Sequence, residues 1–324
     1  MRPLSALVNY ISDIVLIAAA LLIYRSHSYY LSFLRPETHQ ALLALSAIYA
    51  LVGLPYYVYV AGEDHRSKGL VVFSWLRNGF RNGFYFPGRE KTVVLFLVVK
   101  FFFLPIMINF AIDNYYAVSY RLPELLSGGD LLSRFNNNVY PFLLPLIFLI
   151  DTLYFAFGYA AEAAFLKNKV KSVEPTFLGW AVALTSYPPF NSAAGHFFQW
   201  GADDFAYFGS MELTFAVRLF IVFLLSVYLS ATLALGTKCS NLTNRGIVSR
   251  GPYRHIRHPA YASKVASWWM LALPAMNPEI FLGMGFWTVI YLLRSVTEER
   301  HLSADPDYAK YRKQVPYMFV PRVV

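Results

Sequence analysis

The sequence predicts an all-α, polytopic integral membrane protein with about eight transmembrane helices. Of its 324 residues, 57% are hydrophobic and only 15% are charged, so the chain is more apolar than a typical soluble domain. Apolar segments near the length that crosses a hydrocarbon core of about 30 Å recur along it. Because only fully hydrogen-bonded backbones are stable in lipid, we expect helices. The eight segments are residues 4–24, 41–61, 92–112, 139–163, 177–190, 213–235, 261–276 and 279–296.

Two of these segments are irregular. The segment 177–190 is short and ends in Tyr187-Pro188-Pro189. The segments 261–276 and 279–296 are separated only by the turn from Pro274 to Pro278. Such segments are compatible with a re-entrant path or a tight helical hairpin as well as with a full crossing.

The distribution of Lys and Arg predicts the orientation of the chain. The first apolar segment lacks a clear small-residue cleavage site and is followed by further spans, so it indicates an anchor and not a removable signal. With the N-terminus in the cytoplasm, most basic loop residues fall on the cytoplasmic side, as the positive-inside rule requires. The basic residues on the outer loops are Arg25, Arg35, Arg121 and Arg134. We therefore expect a multi-pass protein with both termini in the cytoplasm.

Charge and cysteine content exclude several other partners. We interpret the net charge of +9 as the result of basic residues concentrated in cytoplasmic loops. It does not indicate that the protein binds nucleic acid. The single cysteine, Cys239, excludes an internal disulfide and most cysteine-based metal sites. We expect neither a metal nor a nucleic-acid partner.

Four ionisable residues fall inside predicted spans: Asp13, Lys100, Asp151 and Arg218. Such residues cost free energy in lipid and usually face the bundle interior or a polar cavity. Lys100 and Asp151 lie on spans that are neighbours in the sequence, so they are candidates for a buried pair. A structural pair and a substrate site remain open alternatives.

The stretch "GPYRHIRHPAY", residues 251–261, begins the polar C-terminal region. Gly251 and Pro252 predict a turn, and Pro259 predicts the first residue of a helix because its missing N–H has no partner there in any case. The N-terminal end of that helix favours an anion, with Arg257 and His258 beside it. Tyr261 follows His258 by three residues, so both side chains are expected on one side of the helix.

A second polar block follows one apolar hairpin later, at residues 294–311. Arg294 and Glu298 are four residues apart and predict an ion pair, and Leu302 returns to the Glu298 face. Glu299 lies about 100° round the helix and is expected to stay free for a ligand cation.

Tyr308 and Tyr311 follow a helix start at Asp305-Pro306 and add a further aromatic face. Together the two blocks predict a small polar pocket at the cytoplasmic membrane surface. It offers a cationic rim for a carboxylate, a carboxylate for an ammonium group, and aromatic walls.

These blocks carry a family resemblance. "GPYRHIRHPAY", then "RSVTEERHL" and "DYAKYRKQVP", resemble the C-terminal signature of the isoprenylcysteine carboxyl methyltransferase and phospholipid methyltransferase superfamily, over about 80 of 324 residues. The resemblance implies an integral membrane enzyme that binds S-adenosylmethionine at the cytoplasmic face and methylates a substrate from the bilayer. It implies a cofactor-binding region at 236–324, and helices at 1–235 that admit the substrate.

The resemblance also implies roles for individual residues. Arg257 and Glu298 are the expected catalytic residues, and Arg257 is suited to orient a carboxylate through two hydrogen bonds. The expected cofactor-binding residues are Gly251, Tyr253, His258, Pro259, Tyr261, Glu298, Glu299, Leu302 and Tyr308. Arg254 and His255 are assigned to the membrane surface.

The acceptor stays open between a carboxylate and an amine. Methyl transfer from a sulfonium needs alignment and an aromatic or negative environment. A carboxylate needs no base, whereas an amine needs a group such as His258 or a glutamate to take its proton. The divergent first 235 residues indicate an acceptor other than a prenylated cysteine, and we expect a lipidic or hydrophobic carboxylate or amine.

Two alternatives remain at this stage. Sterol reductases are similar in this region and share the "VPY" found at residues 315–317, which makes an NADPH-dependent membrane reductase the main rival. A non-enzymatic protein that binds lipid headgroups through a basic juxtamembrane loop is the other. The headgroup alternative leaves Glu298 and Glu299 unexplained.

Overall fold

The computed structural model describes residues 2–60, 65–83, 85, 88–126, 128–163 and 165–322. These residues form α-helices, short 3-10 and π segments, and two strands of two residues each. The helices are α1 (Arg2–Ser26), α2 (Ser28–Phe33), α3 (Pro36–Pro55), α4 (Lys68–Asn82), α5 (Gly88–Arg121), α6 (Leu131–Arg134), α7 (Tyr140–Ala160), α8 (Phe177–Leu184), α9 (Phe190–Gly195), α10 (Met211–Leu235), α11 (Pro259–Ala272), α12 (Pro278–Leu302) and α13 (Pro306–Gln314). The strands are β1 (Ser172–Val173) and β2 (Thr243–Asn244). The predicted all-α membrane class is confirmed.

The number of spanning helices differs from the prediction. Within the described ranges, six helical segments are long and apolar enough to cross a membrane: Leu4–Ser26, Pro36–Tyr59, Gly88–Leu125, Leu131–Ala160, Met211–Lys238 and Pro278–Leu302. The predicted spans 177–190 and 261–276 instead contain α8 and α11, of 8 and 14 residues. A spanning helix needs about 20 residues, so the count of eight is not confirmed.

The chain forms two compact units, Met1–Ile112 and Asp113–Val324, divided within α5. In the first unit, α1 packs against α3 and α4. The boundary between these units differs from the functional boundary expected between residues 235 and 236, which divides a substrate-access region from a cofactor-binding region. The functional boundary stays a prediction.

Asp13 holds the first unit together from the middle of α1. Its carboxylate accepts hydrogen bonds from the hydroxyls of Tyr49 and Tyr57, both at 2.6 Å, and from the backbone N–H of Gly69 at 2.7 Å. A carboxylate in an apolar helix is stable only when such donors satisfy it. Asp13 therefore has a structural role in this unit.

Helices α7, α10 and α11 form the core of the second unit, and α12 packs against α11 and α8. Lipid tails are as apolar as the side chains of this core, so the helices associate through close packing and interhelical hydrogen bonds. The buried core residues are Tyr140, Leu144, Ile147, Ile221, Leu225, Tyr228 and Leu271.

One end of the second unit collects the segments that follow α7, α10 and α12. Ser172 of β1 pairs antiparallel with Asn244 of β2, and the ammonium of Lys171 lies 2.8 Å from the Asp305 carboxylate. The basic segments after these three helices thus share one end, as the charge pattern predicts. We call it the polar end.

The segment between β1 and α10 runs from the polar end to the opposite end of the unit. Arg218, in the first half of α10, donates to the carbonyls of Phe205 at 2.9 Å and Ala206 at 3.2 Å. It also donates to the carbonyl of Asn136, just before α7, at 2.7 Å. The chain therefore traverses the unit here through α8 and α9, although neither helix is long enough to span a bilayer.

Gly283 tests this packing. A Cβ at Gly283 would overlap the backbone carbonyl of Gln199, whereas a Cβ at Gly285 on the same helix would meet no atom within 4 Å. We expect Gly283→Ala to destabilise the protein by about 1–3 kcal/mol, the usual cost of overpacking. Gly285→Ala serves as the matched control, and we expect it to leave the melting temperature of detergent-solubilised protein unchanged or slightly raised. Equal melting temperatures for the two variants would contradict the close contact.

Candidate functional site

The start of α11 is fixed by the C-terminal segment of the chain. As predicted, the helix begins at Pro259. The backbone N–H groups of Arg257 and His258 donate to the carbonyls of Tyr317 and Met318, at 3.0 and 2.9 Å. The motif and the segment after α13 therefore hold each other in place through main-chain hydrogen bonds.

A buried ion pair joins Arg257 to Glu299 of α12. The Arg257 Nε lies 2.6 Å from Glu299 Oε1, and Nη2 lies 3.2 Å from Oε2. The Nη1 group donates to the carbonyls of Val315, at 3.0 Å, and Pro316. The expectation that Glu299 stays free for a ligand cation is therefore wrong, because the guanidinium neutralises it with bidentate geometry.

Glu298 is the more available of the two carboxylates. Its side chain is exposed and accepts one hydrogen bond, from the Tyr261 hydroxyl at 3.0 Å. The expected ion pair with Arg294 is not formed; Arg294 donates instead to the side-chain oxygen of Asn241, at 3.1 Å. The rotation of α12 about its axis thus exchanges the roles predicted for Glu298 and Glu299.

His258 and Tyr261 lie on one side of the helix start, as predicted. Their rings stack with centroids 5.5 Å apart and an interplanar angle of 10°. The His258 Nε2 lies 3.2 Å from Glu299 Oε1. His258 thus contacts the Arg257–Glu299 pair on one side and the aromatic face of Tyr261 on the other.

Arg294 lies among three tyrosine rings, and the sequence did not indicate that they surround it. Its guanidinium carbon is 5.2 Å from the ring centroid of Tyr261, 5.0 Å from that of Tyr291 and 5.9 Å from that of Tyr187. A buried arginine surrounded by aromatic faces is stabilised by cation–π attraction. Arg294 therefore fixes the wall behind Tyr261.

The remaining predicted cofactor residues form a support beneath the site. Tyr308 and Tyr311 are buried in a cluster with Val315, against which Tyr253 and Leu302 pack. The Tyr311 hydroxyl donates to the Tyr253 carbonyl at 2.7 Å. This cluster packs the segment before α11 against α13, which the sequence could suggest only as an aromatic face.

Gly251 supplies the turn that starts the motif. Its φ of +60° falls in the left-handed region, and a Cβ there would lie 3.1 Å from the Ala234 side chain. Glycine is the residue that adopts this conformation without strain. Arg254 and His255, three and four residues on, are exposed as expected, and their contact with a membrane surface stays a prediction.

A second link at the polar end involves Asp305, the N-cap of α13. Its carboxylate accepts hydrogen bonds from Lys171 at 2.8 Å and Asn244 at 2.9 Å. Burial raises the pKa of Asp305, but the hydrogen bonds from Lys171, Asn244 and the backbone N–H of Asp307, together with the charge of Lys171, outweigh burial and hold this pKa below its usual range. β1, β2 and α13 are thereby tied together next to the candidate site.

Asp151 and Arg218, predicted as buried ionisable residues, have partners in the second unit. Asp151 accepts hydrogen bonds from Tyr228 at 2.7 Å and Thr232 at 2.6 Å, both on α10. Its expected pairing with Lys100 stays a prediction. Arg218 binds three backbone carbonyls, as described above, so its role in this unit is structural.

The arrangement has the chemistry of a site for an organic cation. An exposed carboxylate lies beside a stacked imidazole and phenol at the start of a helix, above a rigid ion pair. Within the described ranges, no three His, Cys, Asp or Glu side chains are grouped in a way that could hold a metal ion.

Comparison with known families agrees with the resemblance carried by the motifs. Residues 210–305 match the family model of PEMT, phospholipid methyltransferase, and this stretch contains α10, α11 and α12 in full. The C-terminal region is thus a phospholipid methyltransferase family domain, within the superfamily that includes the isoprenylcysteine carboxyl methyltransferases. A search of curated proteins found no match.

Sequence reasoning missed the residues that reach the site from elsewhere in the chain. Asn241 and Tyr187 contact Arg294, and Lys171 contacts Asp305. Asn241 begins a match to a glycosylation sequon, which does not indicate this role, and Tyr187 and Lys171 lie in no recognisable motif. The sequence held only an indirect signal. Lys171 and Asn241 are polar residues in two short segments, and the topology places both segments at the same end as the motif.

The Arg257–Glu299 pair yields a stability prediction. Arg257→Met leaves the Glu299 carboxylate buried without its main partner, which typically costs about 3–5 kcal/mol. We expect a clear fall in melting temperature. The double variant Arg257→Met/Glu299→Met should recover much of the loss, because it removes both charges. Arg254→Met, three residues earlier and exposed, is the matched control; an equal fall in this variant would show that the pair has no special role.

Asp305 yields a pH prediction. Because the folded-state pKa is lowered, the stabilisation is present above the ordinary Asp pKa of 3.8 and is lost as the pH falls toward the lowered value. Asp305→Asn keeps an N-capping side chain and removes the charge. We expect this variant to be less stable at neutral pH and to lose less stability on acidification than the wild type, as measured by thermal unfolding across pH. Identical pH profiles would rule out the lowered pKa.

Proposed function

We propose that the protein is an S-adenosylmethionine-dependent methyltransferase that acts on a lipidic or hydrophobic acceptor at the cytoplasmic face of a membrane. The proposal is supported by two findings that concern the same stretch of the chain. The family match at 210–305 covers the stretch in which the Tyr261–Glu298 and Arg257–Glu299 contacts join the start of α11 to the end of α12.

The residues present fit the methyl donor. Glu298 is exposed and, among the described residues, accepts a hydrogen bond from Tyr261 alone, so its remaining lone pairs suit a ligand ammonium group. Tyr308 is buried at the base of the site, and its hydroxyl lies near the Arg257–Glu299 pair. His258 and Tyr261 present aromatic surface of the kind that attracts a sulfonium.

The chain's own residues have limited chemistry to perform. S-adenosylmethionine, when bound, supplies a methyl group on a positively charged sulfur. Glu298 and Tyr261 orient the donor, and the start of α11 favours its carboxylate. Arg257 acts as a positioning residue through Glu299, since its guanidinium is occupied; this replaces the direct contact with a substrate carboxylate that the sequence suggested.

The cytoplasmic orientation rests on charge. The polar end carries basic residues after α7 and α10 and in the last turn of α12, including Lys171, Arg250 and Arg300, and the positive-inside rule assigns such an end to the cytoplasm. Both termini would then be cytoplasmic, and the N-terminal helices would admit the acceptor from the bilayer.

Labelled methyl transfer tests the activity. Purified protein in nanodiscs is incubated with isotopically labelled S-adenosylmethionine and a total lipid extract, and labelled lipids are identified by mass spectrometry. We expect a labelled species that is absent with the His258→Ala variant. Titration with S-adenosylhomocysteine and NADPH separates the rivals: saturable binding of NADPH alone would overturn the methyltransferase in favour of the reductase.

The site residues yield a binding prediction. We expect His258→Ala, Tyr261→Phe and Glu298→Gln each to weaken S-adenosylhomocysteine binding by about tenfold or more, because a hydrogen bond to a charged group contributes about 1.5–3 kcal/mol. The controls are Lys100→Ala and Glu279→Gln. Glu279 is an exposed carboxylate in the first turn of α12, the helix that carries Glu298. Wild-type affinity in all three site variants would show that the pocket lies elsewhere.

A further inference from the structure

Helix α4 of the first unit carries an excess of positive charge that the proposed site does not use. The helix contains no Asp or Glu. Its basic residues are Lys68, Arg77 and Arg81. Residues 65–91, which surround the helix, contain six Lys or Arg and one carboxylate, Glu90; the acidic residues at 63 and 64 lie outside the described residues. A local excess of cations attracts anions.

The start of α4 is fixed against α1. The backbone N–H of Ser67 donates to the side-chain oxygen of Asn9 at 2.5 Å. The backbone N–H of Gly69 donates to the Asp13 carboxylate at 2.7 Å. A Cβ at Gly69 would overlap the backbone of Ser12, so the two helices are in direct contact there. This end of α4 is therefore buried within the first unit.

The last turns of α4 are exposed instead. Arg77, Phe80 and Arg81 are spaced i, i+3 and i+4, so they share one side of the helix, and all three are exposed. Phe80 is 79% exposed, and Tyr85, just after the helix, is 78% exposed. The indole N–H of Trp75 donates to the Tyr85 carbonyl at 2.9 Å and holds this residue next to the helix. We call the side chains of Arg77, Phe80, Arg81 and Tyr85 the α4 face.

The α4 face lies next to the start of a membrane span. α5 begins at Gly88, shortly after Tyr85, and the segment Gly88–Leu125 is long and apolar enough to cross a membrane. In water alone, the two aromatic rings would stay exposed at a hydrophobic cost. Among acyl chains alone, the two guanidiniums would lack polar partners. Such a mixture of rings and arginines therefore suits the headgroup layer, with the rings toward the acyl chains and the charges toward water.

The guanidiniums of the α4 face are suited to phosphate. Among the described residues, neither Arg77 nor Arg81 has an ion-pair partner, whereas the ammonium of Lys68 packs 4.9 Å from the ring centroid of Phe96. A planar guanidinium binds phosphate oxygens through two parallel hydrogen bonds. Zwitterionic lipids also carry a phosphate, but their ammonium group cancels its charge. The two arginines therefore favour headgroups with a net negative charge.

We infer that the α4 face binds anionic phospholipids at the membrane surface. Arg77 and Arg81 bind the headgroup phosphates, and the rings of Phe80 and Tyr85 lie at the level of the glycerol groups. Because the start of α4 is held by Asp13, this contact ties the first unit to a leaflet of negative charge. None of these residues belongs to the candidate site, so the lipid binding is separate from the proposed methyl transfer.

Quenching of Trp75 fluorescence tests the inference. Trp75 is the only one of the six tryptophans within residues 1–112, and its contribution is the difference between the wild type and Trp75→Phe. The full-length protein is reconstituted in dioleoylphosphatidylcholine bilayers that contain brominated phosphatidylcholine or brominated phosphatidylglycerol over the same series of mole fractions. We expect a relative binding constant at least about threefold in favour of the anionic lipid, because one basic residue at an anionic surface contributes about fivefold.

Substitutions on the α4 face locate the lipid contact. Arg77→Gln/Arg81→Gln should bring the relative binding constant close to one, whereas Arg77→Lys/Arg81→Lys should retain most of the preference. High salt should lower the wild-type preference, because it screens charges at the membrane surface. The matched control is Arg25→Gln/Lys169→Gln, which removes two exposed charges elsewhere in the chain and should behave as the wild type. All these variants should keep the wild-type melting temperature, because the substituted side chains are exposed.

Three results would overturn the inference. Equal quenching by the two brominated lipids in the wild type would remove the anionic preference. An unchanged preference in Arg77→Gln/Arg81→Gln would place the anionic lipid elsewhere on the chain. Quenching of Trp75 by neither lipid would show that the α4 face does not touch the bilayer, and would leave a soluble protein as its partner.

Binding of S-adenosylhomocysteine, measured on the same samples, separates this inference from the proposed function. We expect it to be unchanged in every variant of the α4 face. Its absence from the wild type would contradict the methyltransferase and leave the lipid contact standing.

Discussion

The buried pair of Arg257 and Glu299 is the interaction on which the rest of the polar end depends. Two charges removed from water need both good geometry and further hydrogen bonds to be stable. Here the guanidinium meets the carboxylate through two nitrogens and uses a third for main-chain carbonyls after α13. One side chain thereby joins the start of α11, the end of α12 and the C-terminal segment, and it leaves Glu298 as the carboxylate that faces outward.

Local features of this region were predictable from the sequence, and pairings across helices were not. The helix starts at Pro259 and Pro306 follow from the residues themselves, because proline and a capping aspartate act within one turn. The choice between Glu298 and Glu299 depends on how α12 is rotated against α11. That rotation is set by packing along the whole helix. The i,i+4 spacing of Arg294 and Glu298 gives no information about it.

The predicted count of eight crossings is not confirmed, for a related reason. Counting crossings from apolar segments assumes that each segment forms one helix long enough to span the bilayer. α11 has only 14 residues and is packed between α10 and α12. α8 and α9 together traverse the unit, although neither spans it. The same interruption was visible in the sequence as Tyr187-Pro188-Pro189.

Main-chain carbonyls hold the C-terminal segment against the motif, in addition to the buried side chain of Val315. The groups that Arg257 and the motif backbone bind are the carbonyls of residues 315–318, and every amino acid offers the same carbonyl. Natural variation in the side chains of residues 316–318 would therefore be compatible with an intact site, whereas an insertion or deletion between α13 and the stretch would shift the register of all these contacts at once. In related sequences the spacing after α13 should be more constrained than the residues that fill it.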